Sequence, residues 1–249
     1  MKKILLLCWT VLLCSGCNIS EDCIKSSGTI ITKEIDIPDG TAFNTIYVNA
    51  GISLVLTQGA VHTIAIEAGD NFINDIEASI SDNMLRLTDN SGCNWVRDYG
   101  NVTVHVTSPD IIEIYSNTGK PIRSNGVLTY SILRLYAMDF FGGVGTNDFF
   151  IAVDNNQLVI ESSNVAGFYI TGKTNQMVLS FYDGVGRFEG PDFLAKSIKV
   201  FQRGSNDMII HPVDSLQGDI YSTGHVRSRT HPAYVDVQEH YSGRLIFEN

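Results

Sequence analysis

From residue 108 onward, short apolar-x-apolar triplets return at nearly constant spacing. They begin at Ile112, Leu133, Leu158, Met177, Ile198 and Val235, with a weaker one at Leu216, so successive starts lie 21, 25, 19, 21, 18 and 19 residues apart. Alternation with period two is the mark of a strand with one buried face. A few residues after each triplet stands a cluster of small residues, such as Ser116-Asn117-Thr118-Gly119, Ser162-Ser163-Asn164, Gly184-Val185-Gly186, Gly204-Ser205-Asn206 and Ser222-Thr223-Gly224. Gly and Asn suit tight corners because they tolerate positive φ. A unit of about twenty residues is too short for a propeller blade or a helix pair. The Leu-x-x-Leu-x-Leu signature of a leucine-rich repeat is missing. What fits is an all-β solenoid, each coil holding two or three short strands and burying its apolar face against its neighbours.

Earlier in the chain the alternation is present without the repeat, as in Ile52, Leu54, Leu56; Ile64, Ile66, Ala68; and Val102, Val104, Val106. Asn71 to Ser81 carries Ile76 and Ile80 four apart, but Ile76, Ala78 and Ile80 also alternate and Asp82-Asn83 follows. The expectation is a short helical turn, a strand and a tight turn. A solenoid needs caps, and residues 29–107 with Leu245-Ile246-Phe247 fill that role.

The N-terminus reads as an export signal. Lys2 and Lys3 precede an almost unbroken apolar run from Ile4 to Leu13. That run is half of the roughly twenty residues a membrane span requires. Ser15-Gly16-Cys17 then places two small residues before a cysteine. This resembles the lipobox of bacterial lipoproteins, with Cys14 in place of the usual Leu, and implies lipid on Cys17. A plain secretory signal with an incidental cysteine is the simpler alternative. Residues 1–16 are thus expected to be a signal peptide, 17–28 a lipidated tether, and 29–249 one domain. The expected location is the outer membrane, lipid-anchored, with the face of that membrane left open and cell-surface exposure as one alternative. Asn18 lacks the acidic side chain of an inner-membrane retention signal, and Ser20-Glu21-Asp22 is similar to a surface-export signal.

Without residues 1–16 the chain keeps fifteen basic residues against 27 acidic ones, a formal charge of −12. That excludes the basic footprint of a nucleic-acid binder and the polybasic patch of a peripheral membrane protein. The membrane contact expected is the N-terminal lipid alone. Cys23 and Cys93 remain as an even pair. In an oxidising compartment a disulfide between them is expected, with a Cys/His metal site as the alternative.

A family resemblance rests on an ordered set of segments. These are Phe43-Asn44-Thr45-Ile46-Tyr47-Val48, Val55-Leu56-Thr57-Gln58-Gly59, Gly69-Asp70-Asn71, Met84-Leu85-Arg86-Leu87 and Val102-Thr103-Val104-His105-Val106-Thr107-Ser108-Pro109, then Gly218-Asp219-Ile220-Tyr221-Ser222-Thr223-Gly224 and Ser242-Gly243-Arg244-Leu245. Together they resemble the putative auto-transporter adhesin family with the head GIN domain, over about residues 23–249. The resemblance implies an envelope lipoprotein built as a right-handed parallel β-helix with a β-rich N-terminal cap.

Parallel β-helices also host polysaccharide lyases and hydrolases, which need clustered carboxylates or a base with a metal or Arg partner. Asp139, Asp148, Asp183, Asp192, Asp207 and Asp214 are scattered and mostly flank Gly, Asn or Pro, as turn residues do. His211, His225, His231 and His240 show no metal-ligand spacing. Gly142-Gly143-Val144-Gly145 lacks the Lys-Ser/Thr of a phosphate loop. No catalytic residue, metal or cofactor is expected. Aromatic residues recur instead: Tyr136, Phe140, Phe141, Phe149, Phe150, Phe168, Tyr169, Phe181, Tyr182, Phe188 and Phe201. On strands, Phe140-Phe141 and Phe181-Tyr182 must each point to opposite sides. These four are the candidate contact residues for a protein or glycan ligand. The expected function is a non-catalytic envelope surface for adhesion or binding. The alternatives are a carbohydrate-active enzyme or a purely structural envelope protein.

Overall fold

The computed structural model describes residues 26–38, 40–91, 102–138 and 145–248. The strands are β1 (Ile30–Ile35), β2 (Thr45–Val48), β3 (Ile52–Gln58), β4 (Thr63–Gly69), β5 (Ile76–Ser81), β6 (Met84–Asp89), β7 (Val102–Ser108), β8 (Glu113–Ser116), β9 (Ile122–Leu128) and β10 (Ile132–Ala137). Then come the longer β11 (Asp148–Ser162), β12 (Gly167–Phe181), β13 (Arg187–Gln202) and β14 (Met208–Ile220), and the short β15 (Val226–Ser228), β16 (Tyr234–Glu239) and β17 (Leu245–Phe247). Alternation drives them: in β7 buried and half-buried residues strictly alternate, Val102, Val104 and Val106 facing in. The segment from Asp70 to Asp75 is a turn, and β5 pairs antiparallel with β6 through Asp82 and Asn83 at φ 50° and 61°. Two central residues with positive φ make the turn whose twist suits a hairpin.

Among the described residues, all seventeen strands join one mixed sheet that wraps nearly closed, barrel-like, around a single core. One row runs β5-β6-β2-β8-β10 and continues through the C-terminal parts of β11, β12, β13 and β14 to β16. The other runs β1-β4-β7-β3-β9 and continues through the N-terminal parts of β11 to β14 to β15 and β17. The long strands belong to both rows and unite them.

Two findings correct the expected right-handed parallel β-helix. The pairings β1–β4, β4–β7 and β5–β6 are antiparallel. Moreover, spatial order departs from chain order: β2 lies between β6 and β8, and β3 between β7 and β9. A helix of coils would stack each strand on the equivalent strand of the coil just before it. The physical reason for the miss is that alternation records which side of a strand is buried, not the direction or identity of its partner.

In the C-terminal part the triplets stand side by side: Leu158 beside Met177, Met177 beside Ile198, Ile198 beside Leu216, and Leu216 beside Val235. Like side chains therefore stack in columns, inside as well as out. Phe149 and Phe168 stack in the core at 4.8 Å and 6°, both fully buried. Where the columns turn a corner, backbones approach closely. A Cβ on Gly224 would lie 2.2 Å from the Asn206 carbonyl oxygen, and Gly224 N–H donates to the Gly204 carbonyl at 3.2 Å.

Candidate binding face

The outer surface of the first row carries a line of aromatic rings. In a sheet neighbouring strands lie about 4.8 Å apart, close to the separation of stacked rings. A column with an aromatic in each strand therefore becomes a stack. Tyr47 on β2 begins the line but is itself buried, with Arg86 of β6 over its ring at 4.4 Å. Tyr47 and Tyr115 lie 6.4 Å apart, and Tyr115 stacks on Tyr136 at 4.6 Å and 14°. Glu161 occupies the next position of the column, and Tyr182 donates a 3.0 Å hydrogen bond from its hydroxyl to Glu161 Oε2. The line continues from Tyr182 to Phe201 at 5.6 Å, to Tyr221 at 5.3 Å and to His240 at 4.1 Å.

The tilt of the rings decides what a ligand can meet. Tyr115 and Tyr136, and Tyr221 and His240 (4°), lie nearly flat on each other and present mainly their edges. Tyr182, Phe201 and Tyr221 are inclined at 45° and 46°, which opens part of their faces. Tyr182 and Tyr221 are 37% and 42% exposed. The tilted stretch is thus the part of the line that offers ring surface to a partner.

Carboxylates set the polar character of the line. Burial, then the neighbouring Glu113, which accepts its hydroxyl proton at 3.1 Å, push Tyr115 up to about 12. Burial and the hydrogen bond to Glu161 raise Tyr182. These phenols stay protonated donors at neutral pH. His240 Nε2 lies 2.8 Å from Asp219 Oδ1. A neutral imidazole with its proton on that nitrogen donates to the carboxylate.

The candidates from sequence separate cleanly. Phe181 is fully buried and faces the core, whereas Tyr182 faces out; adjacent strand residues must diverge in this way. Phe181 is therefore part of the packing rather than of the outer surface. Phe140, Phe141, Asp139, Cys17, Cys23 and Cys93 lie outside the described residues. Phe150 and Tyr169 stack at 4.9 Å on the second row, with Arg123 over Phe150 at 3.9 Å. Tyr47, Tyr115, Tyr221 and His240 were missed as contact residues by sequence reasoning, and the register explains part of the miss: Phe201 stands beside Ser180 and Asp219, two positions away from the level of Tyr182 and Tyr221. Among the described residues no three His, Cys, Asp or Glu side chains are grouped to hold a metal ion.

Comparison with known proteins now bears on the whole. The family model described as "Putative auto-transporter adhesin, head GIN domain" matches residues 42–232. The chain belongs to this family. Three solved structures resemble this member of the head GIN family. A putative adhesin from Bacteroides fragilis superposes with a TM-score of 0.79 at 20% identity, over 89% of this chain and 98% of that one. A putative adhesin from Parabacteroides merdae gives 0.63 at 18% identity, over 90% and 98%. A protein from Parabacteroides distasonis described as a putative lipid binding protein gives 0.56 at 12% identity, over 89% and 98%. At such identities the likeness is one of fold. No curated protein matches the sequence.

Proposed function

We propose that this head GIN protein is a non-catalytic, lipid-anchored protein of the outer envelope that binds a protein or glycan partner across the outer face of its first row. The observation that carries this reading is the inclined run Tyr182, Phe201 and Tyr221, with its exposed ring surface. Aromatic side chains bring large contact area at low cost in conformational entropy, and they dominate binding hot spots. The family supports an adhesive role at the cell exterior, and the lipobox-like Ser15-Gly16-Cys17 supports attachment through Cys17.

Two measurements test the two halves of the proposal. Labelling with a radioactive fatty acid is expected to mark the protein and to be lost in Cys17→Ala; equal labelling of both defeats the anchor. A panel of glycans and extracellular proteins is expected to yield a partner whose affinity falls about tenfold or more in Phe201→Ala or Tyr221→Ala, since hot-spot truncations cost more than about 1 kcal/mol. A partner that binds both variants as well as the parent chain removes the face from consideration.

A further inference from the structure

Strand β9 carries the single Asn-Gly pair of the chain, Asn125-Gly126. We infer that Asn125 is a modification site, converting spontaneously in the folded protein to isoaspartate and aspartate by deamidation, with water as the co-reactant.

The reaction is intramolecular. The backbone nitrogen of Gly126 gives its proton to solvent and attacks the side-chain amide carbon of Asn125. A new C–N bond closes a five-membered succinimide ring. The bond from that carbon to Nδ2 breaks, and Nδ2 takes up protons from solvent and leaves as ammonia. Water then adds to one of the two ring carbonyls. Opening at the backbone carbonyl leaves isoaspartate, with the main chain running through the former side chain; opening at the other leaves aspartate. One water is consumed, one ammonia is released, and nothing is oxidised or reduced. Nucleophile and electrophile belong to adjacent residues, so proximity replaces a catalyst. A following glycine matters because it has no Cβ to obstruct the approach.

An ordinary strand suppresses this chemistry, because ladders on both sides hold its backbone extended. At Asn125 both ladders are interrupted. Pairing with β3 ends at Leu56 and Ser124. Pairing with β11 stops at Phe150 and Arg123 and resumes at Ala152 and Val127. Ser124, Asn125 and Gly126 therefore stand against Ile151 alone, as a bulge, and the register gives Asn125 and Gly126 no partner on either neighbour. The Ala152 N–H donates instead to a side chain, Ser124 Oγ, at 2.9 Å.

Gly126 has room to move. Its φ of +91° already departs from the extended form, and a Cβ built on it would meet nothing within 4 Å. Gly172, Gly184 and Gly218 also have positive φ, but each is pressed against a backbone oxygen of another segment. Water has access as well: Asn125, Gly126 and Val127 are exposed in succession, where the rest of the strand is partly covered. Asn125 Nδ2 donates to Thr57 Oγ1 at 3.3 Å, a length at which an N–H···O bond is weak. The product carries a negative charge in place of a neutral amide. Isoaspartate also adds one backbone carbon to β9, at the point where the ladders are already broken.

The test is incubation of the folded protein at mildly alkaline pH, followed by peptide mapping and by methyl uptake from an isoaspartyl methyltransferase. The peptide holding Asn125 is expected to acquire the mass of the acid and to split into two products, isoaspartate in excess. Its rate is expected to lie within about tenfold of that of the free peptide of residues 122–128, a barrier difference of no more than about 1.4 kcal/mol. Asn125→Gln is expected to abolish most of the methyl uptake. Urea below the unfolding transition is expected to leave the rate unchanged, which separates reaction of the native bulge from reaction of transiently unfolded chains. Conversion no faster than at the other asparagines, equal methyl uptake by Asn125→Gln, or a rate that climbs in step with the unfolded fraction would each overturn the inference.

Discussion

Gly172 on β12 has φ +98°, and a Cβ there would fall 2.0 Å from the carbonyl oxygen of Val153 on the neighbouring strand. Both facts exclude a side chain: L residues rarely adopt that region, and the atom in the way is backbone, which cannot rotate aside. Gly172→Ala is therefore expected to lower stability by about 1–3 kcal/mol from backbone strain alone, read as a fall in the urea midpoint. An unchanged midpoint would show that the strand can flatten. None of this is visible in the sequence, where Thr171-Gly172-Lys173 differs little from other Gly-bearing segments. The outward turn of Tyr182 next to an inward Phe181 was legible, because alternation alone dictates it. The roles of Tyr47 and Tyr221 were not. Their neighbours in the stack lie on other strands, and only the register says which strand is adjacent.

At the scale of the element, the same column logic operates within the core. Phe149 of β11 and Phe168 of β12 are opposite each other in the register, and their rings fill the interior face to face. Phe168→Ala leaves a ring-sized void beside a second aromatic and is expected to cost about 3–5 kcal/mol, the range for a buried aromatic truncated to alanine. Thermal and urea unfolding should both report it. The cost for Phe201→Ala, half-buried and outward, should be much smaller. The two substitutions thus separate packing from surface. Strand positions themselves were legible, since Ile52, Leu54, Leu56 and Val102, Val104, Val106 alternate cleanly. Strand order was not: β3 and β7 pair in parallel, while β7 and β4 pair antiparallel, yet all three show the same pattern.

At the C-terminal end of the molecule a chain of ion pairs ties neighbouring strands together. Arg227 on β15 donates to Asp207 at 2.7 Å and to Glu248 at 3.0 Å, and Arg229 reaches Glu248 at 2.9 Å. Burial alone would raise Asp207, but hydrogen bonds from Arg227 and from the His225 backbone outweigh it and hold the carboxyl below its usual range. Glu248 is held low by hydrogen bonds from Arg229 and Arg227. Carboxyls with depressed folded-state pKa values stabilise the fold above their unfolded values and lose that contribution as pH falls through the folded ones. Exchange of the backbone amides of β15 and β17 is therefore expected to accelerate, relative to that of β3, when pH drops from neutral to below about 4, after correction for the intrinsic pH dependence. Equal protection at both values would show that the ion pairs are too solvated to matter.

The interleaving of β2 and β3 also bears on how such a chain is made. A polypeptide emerging N-terminus first can lay β6 on one side of β2 and β7 on one side of β3. The other sides stay bare until residues 113–128 arrive. For that interval two open strand edges face the surroundings, and open edges recruit foreign strands. From β11 to β15 each strand finds a partner on the strand just completed, and β16 and β17 pair with β14 and β15, so the later chain can settle as it appears. The vulnerable moment in biogenesis thus falls early, and a holding chaperone would have most to protect before β8 and β9 close the gap.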